Sequence, residues 1–439
     1  MGSEVTMSDN VIKRRSTGIF RGPRMRLHAG ALTRRMMAML LVGAAAGCVA
    51  PRYENPVGAG ESPDPFVCWD AETASYYLLF TCGKNVSVFR SKTLAGLRDG
   101  ERRVIYEPRD EDGIFGAIWA PEMHKAPNGK WYVYTSGLLR KGNPWGPKCL
   151  FVLESKTADP FDGFVCKGKP APNLFAIDPT VMTWKDGKQY VCYSEVKAGV
   201  GQVLVIREME NPWTFGRREA EVAHAELAWE LKDQKINEGA FFIRSPDDKR
   251  LFIIYSGNGC FCDDYALGCL EFMGGDLCDA KNWKKHPTPL LVKANGAFGP
   301  GHASFFCSPD GKELWCAYHA MRESNPNRRQ TTRWLNFQKV EFDATGYPVM
   351  GVCNGRGPHA ARQGSRRRCL RLEVRCNEII DSCLGDGPCA VHLVRRRRCA
   401  IPLGAEGPTH LAEVRRGLKA AGLPRGAGWQ WPFADGLRP

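Results

Sequence analysis

Between residues 51 and 354 the chain alternates short runs of aromatic and aliphatic residues with turn-forming residues, and no segment there repeats apolar residues at helical spacing. Five of these runs end alike, in an aromatic followed by Thr, Ser or His: Tyr76 to Thr81, Trp131 to Thr135, Gln189 to Ser194, Leu251 to Ser256 and Leu314 to His319. With Phe80, Tyr134, Tyr193, Tyr255 and Tyr318 as register marks, the steps are 54, 59, 62 and 63 residues. Turns such as Asn128-Gly129, Asp186-Gly187 and Asp310-Gly311 lead into several runs, and Asn-Gly or Asp-Gly supplies the positive φ of a tight hairpin. The pattern predicts five hairpin-built sheets, and a step near 60 leaves room for four strands in each. An all-β fold, a five-bladed β-propeller, follows. A β-sandwich is the competing architecture, but it gives no reason for the even spacing.

About sixteen residues before each mark lies the strand that would be innermost in its blade, and the residues found there are not core residues. Asp64 stands 16 before Phe80, Trp119 15 before Tyr134, Asp178 15 before Tyr193, Glu238 17 before Tyr255 and His302 16 before Tyr318. Pro or Gly stands within two residues of each of them, as expected at a strand end that turns tightly. A propeller would therefore bring two Asp, one Glu, one His and one Trp to one axis.

Converging carboxylates beside aromatic rings suit glycoside hydrolysis. One carboxyl must stay protonated for the leaving oxygen, while a second must be ionised as base or nucleophile. A third nearby raises its neighbour's pKa by like-charge repulsion. The rival use of two Asp, a Glu and a His is a divalent metal site, but no ligand pair at short helical spacing such as His-Glu-x-x-His accompanies them.

Composition narrows the picture. The formal charge of +14 is concentrated at the ends: residues 1–50 carry 8 Lys/Arg against 2 Asp/Glu, residues 355–439 carry 16 against 7, and the body is close to neutral. A body without a field of Lys/Arg has no means of neutralising phosphates, so nucleic acid is excluded as its partner. Met36–Val49 is an apolar run too short to span a bilayer, preceded by Arg34-Arg35 and ending Ala45-Ala46-Gly47-Cys48, which reads as an export signal in residues 1–50. Its end resembles a bacterial lipobox, which would make Cys48 the lipidated first residue of an exported, periplasmic or cell-surface protein and its only membrane attachment. Met25 offers a later start. Residues 355–439 hold 15 Arg to one Lys and no Tyr, and read as a basic, Cys/Arg-rich extension, disordered or misread, not as a second core. Of the 18 cysteines, eleven lie in the body without a Cys-x-x-Cys pair. Cys82, Cys192 and Cys316 sit in apolar runs as buried thiols, while Cys260, Cys262, Cys269 and Cys278 form a cluster where an exported protein would have room for a disulfide.

From Asn55 to Met350 the chain resembles family 43 of the glycoside hydrolases, through Ser62-Pro-Asp64-Pro, Trp119-Ala-Pro-Glu122-Met-His124, Ile177-Asp178-Pro-Thr180, Asn237-Glu238-Gly239 and Gly299-Pro-Gly-His302. The resemblance implies a five-bladed propeller enzyme that inverts configuration and acts on arabinose- or xylose-containing plant polysaccharides. It implies Asp64 as general base, Asp178 as pKa modulator and orienter, and Glu238 as general acid. Trp119, Glu122, His302 and Arg333 would contact substrate. No cofactor is required in such enzymes, although many hold a calcium or sodium ion near the axial histidine, here His302, or its water shell. Release of α-L-arabinofuranosyl residues is the leading expectation, with β-D-xylosidase as the nearest alternative and a non-catalytic carbohydrate-binding propeller as the alternative outside enzymes. An inverting pair would hold its carboxyls about 6.5–9.5 Å apart, with room for the attacking water. The run Trp334–Phe342 and the turn after it resemble the family's last strand, which places the end of the catalytic unit near Met350 and leaves closure of the ring open.

Overall fold

The computed structural model describes residues 52–360 except Arg356. The expected export segment with its lipobox-like Cys48, and the basic extension beyond residue 360, lie outside the described residues. Strand-forming runs rich in Tyr, Val, Ile, Phe and Trp are cut by turns in which Gly129, Gly187 and Gly311 take φ of 80°, 84° and 68°, a conformation glycine adopts without a Cβ penalty. The result is five sheets built from antiparallel hairpins, numbered here as blades one to five from the N-terminus.

Blade one is Phe66–Asp70, Ser75–Leu79, Val86–Ser91 and Glu101–Tyr106; blade two is Trp119–Lys125, Trp131–Leu138, Lys148–Ser155 and Phe164–Gly168. Blade three is Ala176–Thr183, Gln189–Lys197, Gly201–Asn211 and Thr214–Ala223. Blade four begins Asn237–Arg244, Leu251–Gly257 and Ala266–Phe272, and the short strands Trp283–Lys285 and Leu291–Val292 share its outer edge. Blade five is Phe298–Cys307, Leu314–Met321, Trp334–Phe342 and Pro348–Val349. The strands before each hairpin are the inner ones, as the sequence spacing predicts.

Strand periodicity divides each second strand between two neighbours. Tyr76 and Leu78 pack with Trp315, Ala317 and Phe337 of blade five, whereas Tyr77 and Leu79 pack with Trp131 and Val133 of blade two. Tyr132 and Tyr134 face Val191 and Tyr193, Cys192 faces Ile253 and Tyr255, and Phe252 and Ile254 face Cys316 and Tyr318. Successive side chains point to opposite faces and both faces are covered, so these strands read as unbroken apolar runs. Each fully buried side chain of this kind contributes about 1.5–3 kcal/mol. Five such cores, one between each pair of neighbours, make a closed ring.

Closure is built from both sides of blade five. Asn55 exchanges two hydrogen bonds of 2.9 Å with the backbone of Phe337, Val57 N–H donates to Leu335 O, and Ser62 N–H to Arg333 O. Between the inner strands, Val67 N–H donates to Ser304 Oγ at 3.0 Å. The folded part does not stop near Met350 or at 354, where composition changes. Gly351–Val352 pairs in parallel with Leu291–Val292, Cys353 is buried in the core between blades four and five, and Gly357–Ala360 pairs with Arg52–Asn55. Backbone pairing, which composition does not report, carries the fold past that point. All twelve described cysteines are free thiols, including the four of the 260–278 cluster that offered room for a disulfide.

Candidate active site

At one mouth of the ring every inner strand opens with a left-handed residue: Asp64, Ala120, Asp178, Gly239 and His302 have φ of 54°, 44°, 56°, 56° and 47°. In blades two to five a β-bulge accompanies it, and the bulge turns the side chain there towards the axis. A non-glycine residue in this region is strained by about 1–2 kcal/mol, and four of the five positions carry that strain. Blades one, three and five present Asp64, Asp178 and His302 from the left-handed position itself. Blades two and four present Trp119 and Glu238 from the residue before it. Gly239 is required twice over: besides its φ, a Cβ there would lie 3.0 Å from the His302 ring.

The strain is held by hydrogen bonds between blades. Thr81 Oγ1 donates to Asp64 Oδ2 at 2.6 Å and accepts from Ala120 N–H, in the next blade, at 2.7 Å. Ser194 Oγ donates to Asn237 O at 2.9 Å, Ser256 Oγ accepts from His302 N–H at 2.8 Å, and His319 Nδ1 accepts from Asp64 N–H at 3.0 Å. These four are the Thr, Ser and His that follow the register marks, so at four of five joints the repeated polar residue fastens the next blade's axial turn. Blade two is shifted by one: Trp119 pairs with Ser136, so Ser136 and not Thr135 occupies the equivalent place, and its hydroxyl has no protein partner.

Asp64, Asp178, Glu238 and His302 come together as the spacing predicts, each 6–9% exposed. Burial works against the Asp64 charge, yet Arg333 Nη1 at 2.9 Å and His302 Nδ1 at 3.2 Å hold its carboxyl well below the usual carboxylate range. Among the described residues no cation lies within ion-pair distance of Glu238, and His302 lowers its pKa only from farther off. Burial first, then the neighbouring Asp178, push it up to about 8, despite a 2.9 Å hydrogen bond from Tyr265 Oη. Asp178 lies between these extremes, raised by burial to about 6 while His302, 4.0 Å away, pulls it down. Burial would strip the proton from His302, but Asp64 and Asp178 outweigh it and raise its pKa to about 9. At neutral pH the site therefore offers an ionised carboxylate on blade one and a protonated carboxyl on blade four. That division of labour is what an acid and base pair needs.

Arg333, near the closing segment, is buried against Asp64 and lies 5.0 Å over the Phe261 ring. Trp119 is one end of an aromatic wall that runs through Trp145 (5.0 Å) to Phe261 (6.2 Å). Its face is covered by the ammonium of Lys148 at 3.3 Å. Lys148 is fully buried, bonds to the carbonyls of Pro144 and Gly146, and burial pulls its pKa down to about 7 despite the charge of Asp178. Glu122 is buried too, but its Oε2 is taken by His124 at 2.8 Å. His124 belongs to a plug of rings with Phe66, Phe241 and Phe305 at 5.0–6.3 Å. Further along the same inner strands a cavity of about 320 Å³ opens, lined by Trp69, Asp70, Lys125 and Phe306 among others.

The site does not fit a directly ligated cation. Among the described residues no group of three His, Cys, Asp or Glu is placed to hold a metal, and the His302 ring nitrogen faces Asp64 and Asp178 as a protonated donor. Sequence reasoning missed Thr81, His319, Tyr265 and Lys148. The first two lay within the repeated pattern and only their role was illegible; Lys148 opens the third strand of blade two and Tyr265 lies in a loop, and neither carries a repeated signal.

The sequence model of the glycosyl hydrolases family 43 matches residues 53–348. The chain is 32% identical over 302 residues to a protein of Streptomyces chartreusis named extracellular exo-α-(1→5)-L-arabinofuranosidase, covering 66% of this chain and 88% of that protein. It is 31% identical over 340 residues to a Streptomyces avermitilis protein of the same name, covering 72% and 68%. Among solved structures it is similar to an α-L-arabinofuranosidase from Lactobacillus brevis, with a TM-score of 0.63, 26% identity, and coverage of 70% of this chain and 98% of that one.

Proposed function

The chain belongs to family 43 of the glycosyl hydrolases and is a glycoside hydrolase, and from that premise we propose that it is an exported, inverting α-L-arabinofuranosidase that trims arabinofuranosyl residues from plant cell-wall oligo- and polysaccharides. The observation that carries the reading is the opposed protonation of two carboxyls at one buried mouth, Asp64 held ionised by Arg333 and His302 and Glu238 held protonated by burial and Asp178. Asp64 accepts a proton from water as the water attacks the anomeric carbon from one face. Glu238 gives its proton to the departing glycosidic oxygen on the other. Asp178 maintains the Glu238 proton by repulsion and orients the sugar; Arg333 and Trp119 contact it. Glu122, its Oε2 taken by His124, repels the charge of Asp178, and His302 balances the two Asp charges. Any calcium near His302 would be held through water, and no step depends on it.

The arabinose preference is supported by the names of the two Streptomyces relatives, and export by the word extracellular in them. A lipid anchor at Cys48 rests on Ala45-Ala46-Gly47-Cys48 alone, and is tested by incorporation of labelled fatty acid into the full chain but not its Cys48→Ala variant. The activity is tested by incubating the full chain and Glu238→Ala with 4-nitrophenyl α-L-arabinofuranoside and 4-nitrophenyl β-D-xyloside side by side. Release from the arabinofuranoside, lost in the variant, with the inverted anomer seen first by NMR, is expected. Release from the xyloside alone would replace arabinose by xylose, and release from neither by folded protein would overturn the reading.

A further inference from the structure

Tyr265 is fully buried in the segment between Leu251–Gly257 and Ala266–Phe272. Its hydroxyl donates to Glu238 Oε1 at 2.9 Å and lies near Ser256, whose Oγ accepts the His302 N–H. Its ring lies parallel to that of His319, with centroids 5.5 Å apart and planes 2° from parallel. His319 Nδ1 accepts the Asp64 N–H, and burial holds that imidazole neutral by pulling its pKa down to about 4. One side chain thus touches the carboxyl of blade four directly and, through one stacked ring, the backbone that aims the carboxylate of blade one.

The motif Gly299-Pro-Gly-His302 is shaped around the same ring. A Cβ on Gly301 would fall 2.2 Å from Tyr265 Cε1, and one on Gly299 3.5 Å from Tyr265 Cβ and 2.5 Å from Cys262 O. Both glycines are therefore explained by close approach to this segment, a demand His302 by itself does not make.

We propose that Tyr265 is a positioning residue that sets the acid and the base together: its hydroxyl fixes which oxygen of Glu238 carries the proton, and its ring holds His319 against Asp64. A neutral carboxyl has one hydroxyl and one carbonyl oxygen. A donor bonded to Oε1 makes Oε1 the carbonyl, so the proton resides on Oε2 and leaves from there. The hydrogen bond also favours the ionised form of Glu238, so losing it moves that group's titration to higher pH. The inference rests on the acid and base roles proposed above.

The test uses the full chain with two substrates that differ in leaving group. α-1,5-Arabinobiose needs its leaving oxygen protonated, whereas the nitrophenolate of 4-nitrophenyl α-L-arabinofuranoside departs with little help. Tyr265→Phe keeps the stack and removes the hydroxyl. It is expected to lower kcat on arabinobiose about tenfold, to change kcat on the aryl glycoside by less than about threefold, and to move the alkaline limb of the pH profile upward. Tyr265→Leu also removes the stack, and should add about a tenfold loss on the aryl glycoside, because the base is needed for either leaving group. Equal losses on both substrates for Tyr265→Phe, with thermal midpoint unchanged, would overturn the proposal. So would a Tyr265→Leu enzyme, folded by circular dichroism, no weaker than Tyr265→Phe on the aryl glycoside. Inactivity of the unmodified enzyme on both substrates would count against the arabinofuranosidase reading instead. The hydroxyl's effect is then read from the ¹³C titration of the Glu238 carboxyl, which should move to higher pH in Tyr265→Phe, and an unmoved titration sinks the inference.

Discussion

Replacing Thr81 by valine keeps the side chain's shape and removes one hydroxyl that serves two blades. That hydroxyl donates to Asp64 Oδ2 at 2.6 Å and accepts from Ala120 N–H at 2.7 Å. A hydrogen bond to a charged group is worth about 1.5–3 kcal/mol, and an orphaned buried N–H costs about 1–3 kcal/mol. Some of this is returned because the hydroxyl no longer has to be desolvated, which leaves a net loss of about 2–4 kcal/mol. For a domain of roughly 300 residues the unfolding entropy is about 0.6 kcal/mol per degree, so the melting midpoint should fall by roughly 3–6 °C. Calorimetry at pH 7 measures it. The same substitution removes a donor from the Asp64 carboxylate, so its pKa rises and the acid limb of kcat/KM moves up, by about one pH unit for each 1.4 kcal/mol of that bond. Arg333 and His302 remain, so activity near pH 7 should change only a few-fold. The stability that Asp64 contributes in its ionised form is present above the ordinary carboxylate range and lost as pH falls through its depressed folded pKa, so the gap between variant and parent should narrow in acid. Thr81→Ser, which restores the hydroxyl, should recover most of both effects. A Thr81→Val enzyme with its midpoint within 1 °C of the parent and its acid limb unmoved would refute the idea that these inter-blade bonds hold the axial turns.

Two further outcomes follow from the electrostatics. Activity should decline as Glu238 loses its proton above about pH 8, and Asp178→Asn, by removing a neighbouring negative charge, should shift that alkaline limb to lower pH in a profile of kcat/KM. Glu230 is wholly buried and ion-paired to Lys285 at 3.0 Å, while its carboxylate also takes the Tyr255 hydroxyl and the Asn237 amide beside Glu238. Lys285→Met should therefore cost about 3–5 kcal/mol in urea unfolding, since it leaves a buried carboxylate without its cation, and Glu230→Gln in the same chain should recover part of the loss.

The five-fold repeat, the inner strands and the meeting of Asp64, Asp178, Glu238 and His302 were legible in the sequence because blade construction is local. A hairpin of fixed length makes position relative to its turn equivalent to position relative to the axis, so one register mark per blade carries the site with it. That logic holds to within a residue. In blade two the bulge sets Ser136, not Thr135, opposite Trp119, a shift that a count of residues does not reveal. The Thr, Ser and His after the marks were visible as a pattern, but their partners lie in the following blade or across the ring closure, as with His319 and Asp64.

What the sequence determined by itself was everything that depends on periodicity and spacing: strand alternation, blade count, the chemical types brought to the axis, and the neutral body between two basic ends. The tertiary structure alone decided how those groups divide their charges. Asp64 and Glu238 are both buried carboxyls, yet one is ionised and the other protonated, because Arg333, 269 residues away, reaches only Asp64 while Glu238 has Asp178 and the Tyr265 hydroxyl for company. Closure was decided there too, since Arg52–Asn55 and Gly357–Ala360 find each other only once the ring has brought the two ends of the body together. Local spacing can specify which residues meet, but a pKa and a closing contact depend on through-space distances that only the folded ring defines.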